Sequence, residues 1–351
     1  MRRENFNAAA HGLRGIASLM VFYAHLLGGT AEHIYEHNST YVEVVRYPWN
    51  FGVYGVELFF VISGFVITPS ALRYTLGEFA IRRFMRLYPL FISFTIIFAI
   101  LNYFTNEYKD INNGYAVLYG ALFLNLFFRT EQITPNAWSL TYEVIYYVLT
   151  ALIIQFWIRK PNKILGVAVA ACAVYFFIAY PISLYFIAGV LVRILYDRGA
   201  YLSFRIPWLL EGALIVLCVI LACQDNYRYK WEDFLNPVVV PLAIATALMF
   251  YLAVREGSLL NSLLNRPFFL YFGTVSYSLY LVHPYTYYLC RLLFVKLGLF
   301  TNDVVFSMAL FFAVATAITL VATHLAHITL ERWPYAWFFR QGIYRERRSP
   351  T

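Results

Sequence analysis

Ten apolar runs, each close to the length a helix needs to cross a bilayer, leave this chain little choice of surroundings. They fall at roughly residues 8–29, 52–69, 87–105, 138–158, 164–180, 182–196, 206–223, 236–254, 269–293 and 303–330. About 20 apolar residues cover the hydrocarbon core as a helix, and a helix satisfies every backbone polar group within its own span. Composition agrees: 61% of the 351 residues are hydrophobic, 13% are charged and the mean hydropathy is +0.61, whereas soluble domains carry about 25% charged residues. The sequence therefore predicts an all-α integral membrane protein. Tyrosine is frequent even inside the apolar runs, which predicts interfacial belts and a polar interior.

A further apolar piece, about 115–128, is shorter, and charge decides its status. If it does not cross, Arg2/Arg3, Arg73/Arg82/Arg83/Arg86, Arg159/Lys160/Lys163, Arg198/Arg205, Arg255/Arg266 and Arg340/Arg345/Arg347/Arg348 all fall on one side, as the positive-inside rule requires. If it crosses, the clusters after it land opposite. The sequence thus predicts about ten transmembrane helices with both termini cytoplasmic, and residues 115–128 as a short outer-leaflet re-entrant segment within an external loop at 106–137. Residues 1–335 then form the transmembrane domain and 336–351 a basic cytoplasmic tail. Orientation and anionic lipid account for the net charge of +8, so nucleic acid is not an expected partner. Cys172, Cys218, Cys223 and Cys290 show no C-x-x-C spacing, so neither a metal site nor a disulfide is indicated. No P-loop, G-x-S-x-G turn or internal repeat appears.

A charge in hydrocarbon costs about 2.5 to 3.5 kcal/mol even on lenient scales. Arg14, His25, Glu57, Glu143 and His283 interrupt the apolar runs, and each needs a buried partner or a chemical task. Counting along the spans at about 1.5 Å per residue places Arg14 near the cytoplasmic end of the first helix and His25 some 16 Å further out. The same count brings Glu57, Glu143 and His283 to the outer half, so four titratable groups are expected in one outer layer. Arg82, Arg83 and Arg86 stand at helical spacing before Tyr88-Pro89. Three guanidiniums there suit bidentate capture of phosphates, or serve as a topology anchor. For each residue the competing reading is structural: a hydrogen-bonded His or Glu, close-packed Gly64 and Gly189, and Trp138-Ser139 as an interface anchor and helix cap.

Five segments in order carry a resemblance: Gly12-Leu13-Arg14-Gly15-Ile16-Ala17 with His25; Gly55 to Phe65 with Glu57; Arg82-Arg83-Phe84-Met85-Arg86-Leu87-Tyr88-Pro89; Trp138-Ser139-Leu140-Thr141-Tyr142-Glu143; and Ser276-Tyr277-Ser278-Leu279-Tyr280-Leu281-Val282-His283. Across about residues 6–330 the chain resembles the acyltransferase family 3 membrane proteins. The resemblance implies transfer of an acyl group, usually acetyl, from cytoplasmic acyl-CoA to a carbohydrate or other acceptor at the far face of the membrane. It implies an essential His25, an important Arg14 and functional arginines at 82–86. One departure stands out: many relatives look like Leu-Asp-Gly-Leu-Arg at the start, whereas His11 occupies the acidic position here. The chain resembles the stand-alone branch rather than members with an extra extracytoplasmic hydrolase-like domain.

The expected catalytic residues are His25, Glu143 and Arg14, and the expected donor-binding residues are Arg82, Arg83 and Arg86. Glu57, Ser139, Trp138, Tyr277 and His283 are further candidates. In this reading acetyl-CoA is the donor substrate, no metal takes part, and His25 removes a proton from the acceptor hydroxyl. Glu143 would stabilise the resulting imidazolium if packing brings the two together; a covalent acetyl-His25 intermediate is the alternative. Partners are acyl-CoA, a polysaccharide or glycolipid acceptor, the bilayer, and machinery for glycan biosynthesis or export, in a bacterial inner membrane. The expected activity is O-acetylation of an exopolysaccharide or other surface glycan. Acylation of a small lipophilic molecule such as a macrolide is one rival, and a glycan transporter or flippase is the rival of another class. External aromatic residues such as Tyr35, Trp49 and Tyr115 suit either sugar stacking or an interfacial belt.

Overall fold

The computed structural model describes residues 6–340 except 107, 135, 200–206 and 228. Arg2, Arg3, Arg205, Arg345, Arg347 and Arg348 of the basic clusters lie outside the described residues, as does the expected tail beyond Arg340. Among the described residues the regular structure is helical and contains no strand. In chain order the helices are α1 (Ala8–His33), α2 (Ser39–Val53), α3 (Gly55–Arg73), α4 (Leu76–Thr105), α5 (Gly114–Ala121), α6 (Asn125–Phe128), α7 (Trp138–Ile153) and α8 (Lys163–Ala179). They continue with α9 (Leu184–Asp197), α10 (Trp208–Gln224), α11 (Val239–Val254), α12 (Leu259–Leu264), α13 (Pro267–Lys296), α14 (Val304–Ala326) and α15 (Trp333–Arg340). Short polar side chains start many of them. Asn7, Asn38, Asn113, Asn162 and Asp303 each accept a backbone N–H from the first turn, which satisfies one of the donors a helix leaves open at its N-terminus.

Among the described residues four helices are long and apolar enough to cross a membrane: Ser39–Arg73, Leu76–Thr105, Trp138–Arg159 and Val304–Phe339. A fifth arises if α8 and α9, bent by 112° at their junction, count as one broken span. Ten full spans are therefore more than length and apolarity alone support. The bend falls where Tyr180 precedes Pro181, a pairing that disfavours helix. Helices α10 and α11 stop at 17 and 16 residues. With 26 and 30 residues, α1 and α13 are long enough, but His11, Arg14 and His25 lower the apolarity of the first and a series of tyrosines that of the second. Residues 115–128 fall in α5 and α6, of 8 and 4 residues, too short to cross as helix.

The chain divides into two compact units. The first comprises residues 1–76 and 142–277. Glycines let its helix backbones meet: a Cβ on Gly64 would lie 2.1 Å from the Phe186 carbonyl oxygen, and one on Gly189 2.0 Å from that of Val61. Helices α3 and α9 thus touch through backbone, the small-residue packing that membrane helices use in place of a hydrophobic driving force. Along α1, Gly52 faces Ala24 and Gly55 faces Ala17, so α1 and the α2–α3 segment run antiparallel. The second unit comprises residues 77–141 and 278–351. Its buried cluster of Phe98, Ile111, Ala116 and Ile133, with Tyr285 against it, seats the α5 region. The Tyr285 hydroxyl donates to the Phe94 carbonyl at 2.9 Å.

Candidate functional site

In the first unit, His25 projects from α1, where its Nδ1 lies 2.8 Å from the Val21 carbonyl oxygen. A carbonyl only accepts, so Nδ1 carries a proton, and when the ring is neutral its lone pair is on Nε2. The edge of the ring packs against Trp49 of α2, with centroids 5.3 Å apart. The imidazole is thus fixed in tautomer by its own helix turn and in direction by an aromatic wall. Arg14, three turns earlier on the same helix, is half-buried. His11, in the position where relatives often carry an acid, places Nε2 3.1 Å from the Thr274 hydroxyl.

Glu143 sits in the first half of α7 and takes hydrogen bonds from two hydroxyls, Ser63 of α3 and Tyr147 one turn on. Neither bond involves His25. The helix register explains this: Ser63 lies two turns, about 12 Å, beyond Gly55 along α3, while His25 lies two turns beyond Ala17 in the opposite direction. Gly55 and Ala17 are neighbours. The expected pairing of Glu143 with His25 in one outer layer is therefore replaced by a Ser63–Glu143–Tyr147 cluster at a different level. The count along apolar runs missed it because helix α2 already begins at Ser39, well before residue 52, where the apolar run begins.

Glu57 is buried at the start of α3, and one of its oxygens, Oε2, has no hydrogen-bond partner among protein atoms. The carboxylate also meets its own backbone N–H and the hydroxyl of Tyr229, from the loop before α11. The Tyr185 hydroxyl oxygen lies 3.1 Å from that of Tyr229. Burial first, and then the Glu57 charge, push the Tyr229 phenol well above its ordinary range and keep it a donor. Tyr277 is buried in α13.

The second unit holds the remaining candidates. His283, fully buried on α13, donates from Nδ1 to the Leu279 carbonyl at 2.9 Å and accepts at Nε2 from the Asn136 amide at 2.8 Å. Both ring nitrogens are engaged, as in a neutral structural histidine. Ser139 belongs to the same cluster, with its hydroxyl 2.7 Å from that of Tyr280, and Tyr280 also donates to the Asn136 carbonyl. Trp138, which opens α7, is 39% exposed. The Arg82 guanidinium lies 5.1 Å from the centre of the Phe339 ring and that of Arg83 5.4 Å from that of Phe79. Such stacking holds a guanidinium plane, and the Nε atoms of both arginines are buried. Arg86 is one turn along from Arg82 and half-buried.

Sequence reasoning missed Ser63, Tyr147, Asn136 and Tyr229 as partners. Tyr147 was accessible from the i, i+4 spacing to Glu143. The other three come from distant segments, and no local pattern announces them. Basic residues also divide by role: Arg159 donates to the Ala71 and Leu72 carbonyls at 2.9 and 2.8 Å, closing the C-terminus of α3.

Comparison with known proteins adds an independent line. The family profile described as an acyltransferase domain matches residues 7–326. The Bacillus subtilis protein YrhL, whose name assigns it provisionally as a peptidoglycan O-acetyltransferase, is 24% identical over 294 residues, 69% of this chain and 46% of its own. The peptidoglycan O-acetyltransferase OatA of Listeria monocytogenes is 24% identical over 296 residues, 69% of this chain and 47% of its own. Nodulation protein 10 of Rhizobium leguminosarum bv. viciae is 28% identical over 190 residues, 48% of this chain and 49% of its own. The chain thus spans about half the length of the curated relatives it matches. No solved structure matches significantly.

Proposed function

Since the chain belongs to the acyltransferase 3 family, whose profile covers it from residue 7 to 326, we propose that it is a membrane O-acetyltransferase acting on a surface glycan. The observation that carries this reading is the tautomer of His25, which leaves Nε2 as the basic nitrogen. His25 takes the proton from an acceptor hydroxyl as its oxygen attacks the carbonyl of an acetyl thioester; the C–S bond breaks, and the departing thiolate takes the proton from the imidazolium. Arg14 supports the thioester oxygen. Acetyl-CoA is the donor, its phosphates held by Arg82, Arg83 and Arg86 as bidentate partners. Two relatives bear names that refer to peptidoglycan, which supports a polysaccharide acceptor. An exopolysaccharide or other surface glycan is the acceptor assigned here.

In this reading about ten helices cross a bacterial inner membrane with both termini cytoplasmic, and residues 115–128 remain in the outer leaflet. Glu143 is a positioning residue that ties α7 to α3 through Ser63. The test is a reconstituted membrane supplied with acetyl-labelled CoA and the glycan fraction of the source cells. The parent chain is expected to move label into alkali-labile esters on the glycan, and His25→Ala to move none above background. Label transfer by His25→Ala at the parental rate would end the proposal.

A further inference from the structure

At the turn between α8 and α9, the first unit contains a cavity of about 270 Å³ whose walls come from that turn, from the start of α7 and from the loop before α11. The rings of Tyr142, Tyr180, Tyr229 and Trp231 line it together with Lys230 and Glu232. We propose that this cavity is a subsite for one sugar unit of the acceptor, a proposal that rests on the glycan acetyltransferase reading above.

Its construction has four parts. The volume lies just under the range of about 300 to 1,000 Å³ typical of pockets for drug-sized ligands, which suits a single ring with substituents. Aromatic faces carry negative charge at their centres and attract the weakly positive C–H face of a pyranose, while an ammonium and a carboxylate together meet its hydroxyls. The Trp231 indole is half-exposed yet held, since its N–H donates to the Ile178 carbonyl at 2.7 Å. The Tyr142 and Tyr180 rings are set edge to face, with centroids 5.2 Å apart.

The fourth part is strain. Tyr229 has a φ of 51°, in the left-handed region that a tyrosine rarely adopts, a conformation that persists only where its surroundings hold it. It aims the phenol inward to Glu57 and Tyr185, and the residues that follow, Lys230 to Glu232, line the cavity. Glu57, nine-tenths buried with Oε2 unpartnered, stands behind that phenol. The Lys230 N–H donates to the Asp233 carboxylate and the Asp233 N–H to the Lys230 carbonyl, both at 3.0 Å, which fixes the short helix that follows. Lys230 and Glu232 thus project from a rigid segment rather than a loose loop.

The test uses the full chain in lipid nanodiscs with three probes: the methyl glycosides of glucose, galactose and N-acetylglucosamine. Binding is read by saturation-transfer NMR and by tryptophan fluorescence for the parent, Trp231→Ala, Trp231→Phe and Lys230→Gln, with melting temperature as the control for folding. At least one glycoside is expected to bind saturably, with Trp231→Ala weakening it at least about tenfold, Lys230→Gln weakening it severalfold, and Trp231→Phe remaining near the parent. Absence of saturable binding to the parent, or unchanged affinity in Lys230→Gln and Trp231→Ala, would overturn the subsite. If Trp231→Ala fails to fold, Lys230→Gln on its exposed position decides alone. Acetyl transfer is assayed on the same preparations. A parent that transfers acetyl while the variants bind sugar normally sinks the subsite and leaves the reading standing; variant-sensitive sugar binding with no acetyl transfer does the reverse.

Discussion

Tautomer control at His25 rests on one hydrogen bond within its own helix turn, a device that needs no carboxylate partner. His25→Ala should therefore lower acetyl transfer by roughly 10²- to 10⁴-fold, the usual contribution of general base catalysis, while donor binding in a direct assay and the melting temperature stay near the parent. Glu143 behaves differently because its two hydroxyl donors already satisfy it. Glu143→Gln keeps the side-chain size and an acceptor oxygen, so transfer is expected to remain within about tenfold of the parent, less than a residue stabilising the imidazolium would cost. A loss as deep as that of His25→Ala would return Glu143 to the reacting atoms. His283 offers the opposite contrast. Its Nε2 accepts from the buried Asn136 amide at 2.8 Å, and His283→Ala leaves that donor buried without this acceptor. A stability loss of about 1 to 3 kcal/mol follows, read as a lower melting temperature, with activity of the folded fraction retained.

Helix crossings set where these residues stand, and the tightest is that of α3 and α9 at Gly64 and Gly189. A side chain there must push two backbones apart, so Gly189→Val is expected to cost at least about 1 to 3 kcal/mol by overpacking, measured as melting temperature in detergent against Gly212→Ala. A Cβ on Gly212 meets nothing within 4 Å. Elements of this kind were readable in the sequence: apolar runs gave the helices, and Gly64 and Gly189 stood out as close-packing positions. The Pro181 break was readable in principle but lay between two runs that each looked like a span. The registers were not readable, because an apolar run marks only what contacts lipid or core, and α2 extends as helix beyond it through Tyr41 and Tyr47. That difference is what separated Glu143 from His25. Candidate residues could be named from unfavourable charge in apolar runs, whereas Ser63, Asn136 and Tyr229 became partners only when distant helices packed.

Sidedness is the property of the whole molecule on which the proposed reaction depends, because it assigns the arginines to the donor face and His25 to the acceptor half. It hinges on residues 115–128. Helix α5 has 8 residues and rises only about 12 Å, well short of ~30 Å of hydrocarbon. Left-handed residues at Phe123 and Arg129 bracket α6 and stop the two from joining into one span. The segment should therefore enter and leave on the same side, keeping Arg73, Arg82, Arg83 and Arg86 with Arg159, Lys160 and Lys163. Replacing the four native cysteines and introducing one at Lys109, Glu131, Gly77 or Lys160 gives a direct reading with a membrane-impermeant maleimide. Lys109→Cys and Glu131→Cys are expected to label in intact cells, and Gly77→Cys and Lys160→Cys only after the membrane is opened. Labelling of Lys160→Cys from outside would mean that 115–128 crosses after all. The basic clusters after it would then stand on the far side against the positive-inside rule, and the start of α7 with Tyr142, a wall of the sugar subsite, would move to the cytoplasmic face, where no surface glycan could reach it.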